Sequence, residues 1–168
     1  ASRVTGMGQV RLVDSKEYGA LDLFGTGYYA KFGSPGALTA SDVADGTVPF
    51  AGVYQSDGGG GSRRAIVSLR HQIDVGRGKL EQRLYGQARQ FDMLENFTGY
   101  LQDAVHGDRR LQTHRFLSAG YQVEYTRPLV DSLVLVAGGA WQGDSVDQRD
   151  MLVDEQHGVI TRNWDLGV

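Results

Sequence analysis

The sequence contains no cysteine and only three prolines among its 168 residues. The lack of cysteine excludes a disulfide-stapled scaffold and a thiolate metal site. With so few prolines, the chain is neither collagen-like nor a proline-rich low-complexity segment. The longest apolar run covers residues 133–141, about half of the roughly 20 residues that a membrane-spanning helix needs. The sequence therefore predicts no transmembrane helix.

The charge balance gives no sign of a nucleic-acid partner. The chain has 17 basic and 20 acidic residues, a formal net charge of -3 and an isoelectric point of about 5.8. Basic and acidic residues are interspersed, whereas nucleic-acid-binding domains carry a basic patch or stripe. We therefore expect no nucleic acid among the partners of this protein.

The dominant pattern in the sequence is an alternation of apolar and polar residues. In residues 111–125, one parity carries Leu117 and Tyr121 while the other carries Ser118 and Gln122. A period of two is typical of a β-strand with one apolar and one polar face. The sequence therefore predicts an all-β chain of about seven antiparallel strands. Further strands are predicted at residues 9–12, 21–23, 62–73, 80–90 and 133–141, and from Thr161 onward.

The connections between the predicted strands alternate in length. In outer-membrane barrels, short periplasmic turns alternate with long extracellular loops, and structureless loops of this length are uncommon in compact soluble domains. The sequence thus predicts an antiparallel transmembrane β-barrel segment, with residues 1–168 as one partial barrel that has no plug domain. The short connections are residues 14–19, 76–79 and 127–132, and the long ones are residues 33–61, 94–110 and 143–160.

Aromatic residues gather near the ends of several predicted strands. Outer-membrane barrels place aromatic rings at both membrane interfaces, so these residues are expected to contribute to such girdles. The alternative is ordinary strand propensity, because aromatic residues are enriched in all sheets. The residues concerned are Phe24, Tyr28, Tyr29, Phe32, Phe91, Tyr125 and Trp141.

The charged residues on the predicted strands indicate which face meets water. A charge at the lipid midplane costs about 2–4 kcal/mol, so a lipid-facing Val67, Leu84 and Leu117 would leave the charged parity facing the lumen. Arg115 has the apolar parity and is expected at the membrane edge. The lumen set is Arg64, Arg70, Arg83, Arg89, His114 and Glu124.

Three residues of the predicted strand at 80–90 are the candidate ligand-binding site. Arg83, Tyr85 and Arg89 share one parity and would form a cationic and aromatic stripe along the lumen wall. Such a stripe suits contact with an anionic cargo or with a plug. The alternative is the ordinary polarity of a water-filled lumen.

No pattern in the sequence predicts an enzyme, a cofactor or a metal site. Residues 25–30 match a dinucleotide fingerprint, but strand-like sequence follows where the fingerprint needs a helix. The acidic residues of the segment 144–155 do not have the spacing of a calcium loop, and no serine stands in a nucleophile elbow. The four histidines are also too scattered in the sequence to predict a metal site. They are His71, His106, His114 and His157.

Several segments resemble the TonB-dependent receptors of bacterial outer membranes. Residues 87–101 resemble a strand that runs into an outer loop in this family, and residues 25–29 and 57–61 are similar to other parts of its barrels. The resemblance covers nearly the whole chain and lies in the texture of the strands. It implies a large barrel closed by a plug, located in the bacterial outer membrane, for the energised uptake of a scarce nutrient such as a ferric siderophore.

The resemblance also implies a set of partners. These are outer-membrane lipid, the rest of the barrel and the plug of the parent chain, a small-molecule cargo, and the TonB complex. The TonB complex would be contacted through an amino-terminal region that this sequence lacks. The sequence opens without a signal-peptide pattern and stops within an alternating run, so we expect a piece of a longer chain. Two alternatives remain: a soluble antiparallel β-sandwich binding module and a non-TonB outer-membrane porin.

Overall fold

The protein is almost entirely β-structure. The computed structural model describes residues 1–53, 56–101, 103–105, 107–154 and 158–167, with the backbone alone for residues 160–163. These residues form seven strands and one short helix, which confirms the all-β prediction. The elements are β1 (Ser2–Ser15), β2 (Gly19–Gly33), α1 (Ala40–Ala44), β3 (Gly59–Val75), β4 (Gly78–Asn96), β5 (Arg109–Val130), β6 (Leu133–Val153) and β7 (Val159–Gly167).

The seven strands form one antiparallel sheet in which the spatial order equals the order in the chain. Each strand pairs with the next one along the chain, from β1 to β7. The predicted number and direction of the strands are therefore confirmed. Within the described part of the chain the sheet is open, because β1 and β7 are its two edges.

The central strands are much longer than those of ordinary globular proteins. Strands β3 to β6 contain 17 to 22 residues, whereas strands in globular proteins usually contain about 5–6. Strands β5 and β6 both continue well beyond the runs that their alternation predicts. The prediction of a long loop over residues 143–160 is wrong, because β6 extends to Val153 and only residues 154–158 connect it to β7.

Polar cross-strand contacts explain why β6 continues through acidic sequence. Asp150 is buried on β6, and a guanidinium nitrogen of Arg110 on β5 lies 3.3 Å from its carboxylate. The side-chain amide of Gln112 donates a 3.4 Å hydrogen bond to the same carboxylate. Because opposite charges across a strand pair stabilise a sheet, these contacts support one face of the hairpin, while the other face carries the buried Met151 and Val153.

The short turns and two of the long loops match the predictions. Residues 16–18, 76–77 and 131–132 form the short connections, and residues 34–58 and 97–108 form the long ones. Gly19 and Gly76 have φ angles of 73° and 63°, in the left-handed region that favours glycine. Short and long connections thus lie at opposite ends of the sheet.

A bulge in β1 changes the parity of its residues. The register shifts between Arg11 and Val13, so that Val13 pairs with Leu21 while Val10 pairs with Leu23. A bulge inserts one extra residue into one strand of a pair. Val10 and Val13 consequently lie on the same face of the sheet although they are three residues apart.

The sheet is a single layer. Among the described residues, the buried apolar side chains are only Ala30, Val48, Met151 and Val153, and the backbone of each strand lies close only to the backbones of its neighbours in the sheet. The accessible surface is 11129 Å², against about 8100 Å² for a compact monomer of this mass. A β-sandwich needs two packed sheets, and the described strands form one.

The long loops pack against each other at one end of the sheet. Arg109 is buried at the start of β5, and its guanidinium lies 2.6 Å from the carboxylate of Asp57 in the first long loop. The amide of Ala37 donates a 3.1 Å hydrogen bond to the carbonyl of Asn96. In the second long loop, Thr98 donates to the buried Asp108. The loops therefore form an ordered layer over the strand ends.

A matched pair of glycine substitutions tests the geometry of the turns. A Cβ at Gly19 would collide with the carbonyl oxygen of Gln72, whereas a Cβ at Gly76 would meet nothing within 4 Å. Both changes to alanine incur the left-handed backbone cost of about 1 kcal/mol, and Gly19→Ala adds the collision. We expect a larger loss of urea midpoint, followed by circular dichroism, for Gly19→Ala than for Gly76→Ala. Equal losses would contradict this account of the turn.

Candidate functional site

The cross-strand register gives the sheet two chemically different faces. Residues directly opposite each other in an antiparallel pair lie on the same face. Following these partners from β1 to β6 collects Val10, Leu23, Leu69, Leu84, Tyr121 and Trp141 on one face. The neighbouring row on the other face is Arg11, Asp22, Arg70, Arg83, Gln122 and Ala140. We call these the apolar face and the polar face.

Three successive rows of the apolar face contain no charged residue, and we call them the apolar band. Most of its larger side chains are exposed, with exposures of 55% at Leu84, 60% at Leu117 and 65% at Trp141, whereas Leu23 and Leu69 are half-buried. Counted from the long loops toward the short turns, the first row is Gly6, Gly27, Ala65, Ala88, Leu117 and Ser145, and the second is Gly8, Gly25, Val67, Gly86, Ala119 and Gly143. The third row is the one already described, which contains Leu84.

Polar groups border the apolar band on both sides. Toward the long loops, the next row contains Arg63, Gln90, Arg115 and Asp147. Arg115, expected at the edge of the apolar region, therefore lies on its border. Toward the short turns, the next row contains His71 and Gln82. The row beyond it (Ile73, Leu80, Tyr125 and Ala137) is uncharged again, so the charge-free part of this face extends on β5 from Arg115 to Arg127.

The border toward the short turns is a chain of hydrogen bonds. The Tyr121 hydroxyl donates to Gln82 Oε1 at 2.6 Å, and Gln82 Nε2 lies 3.3 Å from His71 Nδ1. His71 Nε2 lies 2.8 Å from the carbonyl oxygen of Tyr18. Since Gln82 Nε2 is a donor, its bond to Nδ1 assigns the ring proton to Nε2. These polar groups on an otherwise apolar face therefore satisfy one another.

Ion pairs cross the polar face near the short turns. Arg11 lies 2.7 Å from Asp22 on the neighbouring strand. Arg70 donates two hydrogen bonds, of 2.9 and 2.7 Å, to the two carboxylate oxygens of Glu81. Gln72 donates a 2.7 Å bond to the same carboxylate. This end of the polar face is therefore close to charge-balanced.

The candidate residues Arg83, Tyr85 and Arg89 all lie on the polar face of β4, on the same side as Gln87. Arg83 and Tyr85 line one open depression of about 510 Å³ together with Asp22, Phe24, Arg70 and Gln122. Arg89 does not line this depression. The predicted stripe is thus on one face, but it divides into two separate environments.

Arg83 and Tyr85 are held by neighbouring side chains. A guanidinium nitrogen of Arg83 lies 3.9 Å from Glu81. The Tyr85 hydroxyl donates a 2.7 Å hydrogen bond to Gln142 Oε1 on β6, two strands away. The Tyr85 ring reaches it by lying over Gly120, where a Cβ would collide with the ring. Glycine at this position lets an aromatic side chain cover the strand between β4 and β6.

Arg89 has a different neighbour, which the candidate set from the sequence does not contain. It lies directly opposite Arg64 on β3. Both residues belong to the predicted lumen set, and the register confirms that they share a face. The sequence gives the parity of each arginine within its own strand, but it does not give the register that sets the two opposite each other. That register follows from the two-residue turn at 76–77.

The aromatic residues divide between the faces. Tyr29 and Trp141 lie on the apolar face, but Phe24, Tyr28, Phe32 and Phe91 lie on the polar face. Phe32 and Phe91 stack there with ring centroids 6.3 Å apart. These four residues therefore do not share the face of Leu84 and Leu117, where the sequence predicts an aromatic girdle. These residues are close in the sequence, but adjacent residues of a β-strand point to opposite faces of the sheet.

The described residues contain no group of three or more His, Asp or Glu side chains placed to hold a metal ion. The candidates His106, His157 and Glu155 lie outside the described residues. No helix in the described part of the chain is long and apolar enough to cross a membrane. Comparisons with protein-family models, curated proteins and solved structures found no match for this chain.

A substitution at Gly120 tests the arrangement of Tyr85. We expect Gly120→Ala to lower the free energy of unfolding by about 1–3 kcal/mol, because the added methyl group meets the ring. The matched control is Gly139→Ala, where a Cβ would have open space. Urea unfolding followed by tyrosine fluorescence measures both. In the background of Tyr85→Ala the penalty at Gly120 should disappear, and a penalty that persists would contradict the contact.

Proposed function

We propose that this chain is part of the wall of a transmembrane β-barrel in a bacterial outer membrane. The apolar face would contact lipid, and the polar face would line a water-filled lumen. The observation that carries this proposal is the apolar band: three uncharged rows across six strands, on a sheet whose described residues provide no second layer. An exposed apolar surface of this extent marks a site that another phase or partner covers.

The composition of the apolar band favours lipid over a second protein layer. The middle row of the band has Val67 as its largest residue, and the rest of the row is glycine and alanine. A protein core is packed to high density by interlocking side chains, and such a row offers little to interlock with. Fluid lipid chains adapt to an uneven surface. The band therefore suits a bilayer better than a facing sheet.

The height of the charge-free surface agrees with this assignment. On β5 the charge-free part of the apolar face runs from Arg115 to Arg127, which are twelve residues apart. At about 3.3 Å per residue this is about 40 Å along the strand. With the tilt of about 40° that barrel strands have, the charge-free surface is about 30 Å tall, comparable with the apolar belt of about 25 Å of outer-membrane barrels. Arg115 and Arg127 would then lie near the two membrane surfaces.

The connections suggest an orientation. The short turns at residues 16–18, 76–77 and 131–132 would face the periplasm, and the long loops at residues 34–58 and 97–108 would face outward. The ordered packing of the two long loops, through Arg109 and Asp57, gives the outer end a shaped surface. A shaped outer surface suits the capture of a specific solute rather than unselective diffusion.

We propose further that the barrel belongs to a transporter of the TonB-dependent receptor type, which takes up a scarce nutrient such as a ferric siderophore. The resemblance of residues 87–101 and of the strands to that family supports this step. The polar face supplies Arg83, Tyr85 and Arg89 along the proposed lumen. The partners would be outer-membrane lipid, the remaining barrel with its plug, the TonB complex and the small-molecule cargo.

Labelling of single introduced cysteines tests the membrane assignment. Because this sequence contains no cysteine, no natural cysteine has to be removed from it first. In membranes of cells expressing the full-length protein, a water-soluble maleimide should label Gln87→Cys and Gln122→Cys. It should leave Ala88→Cys and Ala119→Cys largely unmodified. A fluorophore attached in detergent to the latter two should be quenched by a lipid-soluble quencher after reconstitution into vesicles.

The labelling pairs control for each other, because Gln87 and Ala88 are adjacent on β4. Equal labelling of all four positions would contradict a membrane-facing surface. Protection of Ala88→Cys and Ala119→Cys in a sample that is soluble without detergent would indicate a covering protein layer instead of lipid.

Dependence on energy tests the transporter assignment. Uptake of siderophores loaded with radioactive iron, by cells that express the full-length protein, should cease when the TonB complex is deleted. The reason is that release of a tightly held cargo would require energy from the inner membrane. Passage of small solutes in a vesicle-swelling assay, unaffected by that deletion, would instead identify a porin.

A further inference from the structure

We infer that the polar face carries an oxyanion-binding site formed by Arg64 and Arg89, which we call the arginine pair. The ligand would be a small molecule with a carboxylate or phosphate group beside a planar, apolar part. That this ligand is the cargo rests on the proposed function, whereas the binding site itself does not. The inference rests on the charge, the partners and the flanking residues of the arginine pair.

The two guanidinium groups project from directly opposite positions of β3 and β4. Like charges in this arrangement destabilise a strand pair. Arg64 donates a 2.9 Å hydrogen bond to Gln87 Oε1, a neutral acceptor. Arg89 has no hydrogen bond or ion pair with any side chain in the described part of the chain. Both arginines are exposed, so their positive charges remain available.

A second opposed pair on the same two strands provides an internal comparison. Arg70 and Arg83 are also directly opposite each other. There, however, Glu81 lies 2.7 Å from Arg70 and 3.9 Å from Arg83. The protein thus compensates one arginine pair with its own carboxylate and provides none for the other. The difference indicates that the compensating charge at Arg64 and Arg89 comes from outside the described residues.

Aromatic side chains flank the arginine pair on the same face. Tyr28 of β2 lies opposite Arg64, and Phe116 of β5 lies opposite Arg89. A further cation, Arg3, lies over the Tyr28 ring at 5.6 Å from its centroid. The row from β2 to β5 therefore reads aromatic, cation, cation, aromatic, and Arg3 reaches its Tyr28 end from the neighbouring row.

This arrangement suits an anion that is attached to a planar group. A guanidinium presents a planar fork of donors that matches two oxygens of a carboxylate or phosphate. Two such groups can hold one oxyanion between them, and the anion would remove their repulsion. The rings on both sides offer faces and edges to an aromatic or apolar part of the ligand. A neutral sugar would leave both charges uncompensated.

Phenyl phosphate is a suitable probe because it joins an oxyanion to an aromatic ring. It would be titrated by calorimetry into the purified full-length protein in detergent micelles, with benzyl alcohol as the uncharged comparison. We expect phenyl phosphate to bind and benzyl alcohol not to bind measurably. Arg89→Gln and Arg64→Gln should each weaken binding about 10- to 100-fold, as expected for loss of hydrogen bonds to a charged group.

The control variant is Arg77→Gln, which makes the same charge change in the exposed turn at the other end of β3. It should bind phenyl phosphate as the unmodified protein does. Thermal unfolding without ligand gives a second readout. Relief of the repulsion predicts that Arg89→Gln melts no lower than the unmodified protein, and that phenyl phosphate raises the melting temperature only of the unmodified protein and Arg77→Gln.

Two results would overturn the inference. One is unchanged binding in Arg89→Gln, which would place the anion elsewhere. The other is absence of phenyl phosphate binding, and a lower melting temperature of Arg89→Gln would then identify an ion pair with a carboxylate elsewhere in the full-length protein. The cysteine-labelling pattern reports the membrane assignment independently. Failure of phenyl phosphate binding with that pattern intact would therefore refute the ligand site alone.

Discussion

The register of the antiparallel ladder is the constraint on which the rest of this structure depends. Side chains alternate between faces with a period of two, so a slip of one residue in any strand would send its whole apolar set to the other face. Six strands keep the same sorting from β1 to β6, even across the bulge in β1 that restores the parity of Val13. The tight turns, with Gly19 and Gly76 in left-handed conformations, fix this register locally. One face with an uncharged band and one ion-paired face are the result.

A single-layer sheet with two such faces requires two different surroundings. A soluble domain of this size normally buries a core between layers, whereas the described residues bury only four apolar side chains. Polar side chains on the polar face are satisfied by ion pairs such as Arg70 with Glu81 and by long-range hydrogen bonds such as Tyr85 with Gln142. The exposed side chains of the apolar band have no comparable partners within the described part of the chain. Lipid on one side and water on the other is the arrangement that we propose for this reason.

Much of the fold was predictable, because strand period and turn chemistry are local properties. The seven strands, the turns at residues 76–77 and 131–132, and the shared polar parity of Arg64 and Arg89 all follow from sequence spacing. The extension of β6 to Val153 was missed because residues 142–150 are mostly polar in sequence, and the contacts that support them, such as Arg110 with Asp150, come from β5. The aromatic residues of β2 were misassigned as one group, although Tyr28 and Tyr29 lie on opposite faces. In the second case nearness in the chain was taken for nearness in space.

The strand character of most segments, the side-chain parity within strands that have no bulge and the positions of the short turns could be read from the sequence alone. The reason is that each of these depends on residues within one or two strands of each other. Which side chains of different strands meet is known only from the folded sheet. It set Arg64 opposite Arg89, gave Glu81 to the other arginine pair, and laid the Tyr85 ring over Gly120 toward Gln142. Such contacts depend on the accumulated register and on side-chain reach across several strands, and the alternation within a single strand contains no information about either.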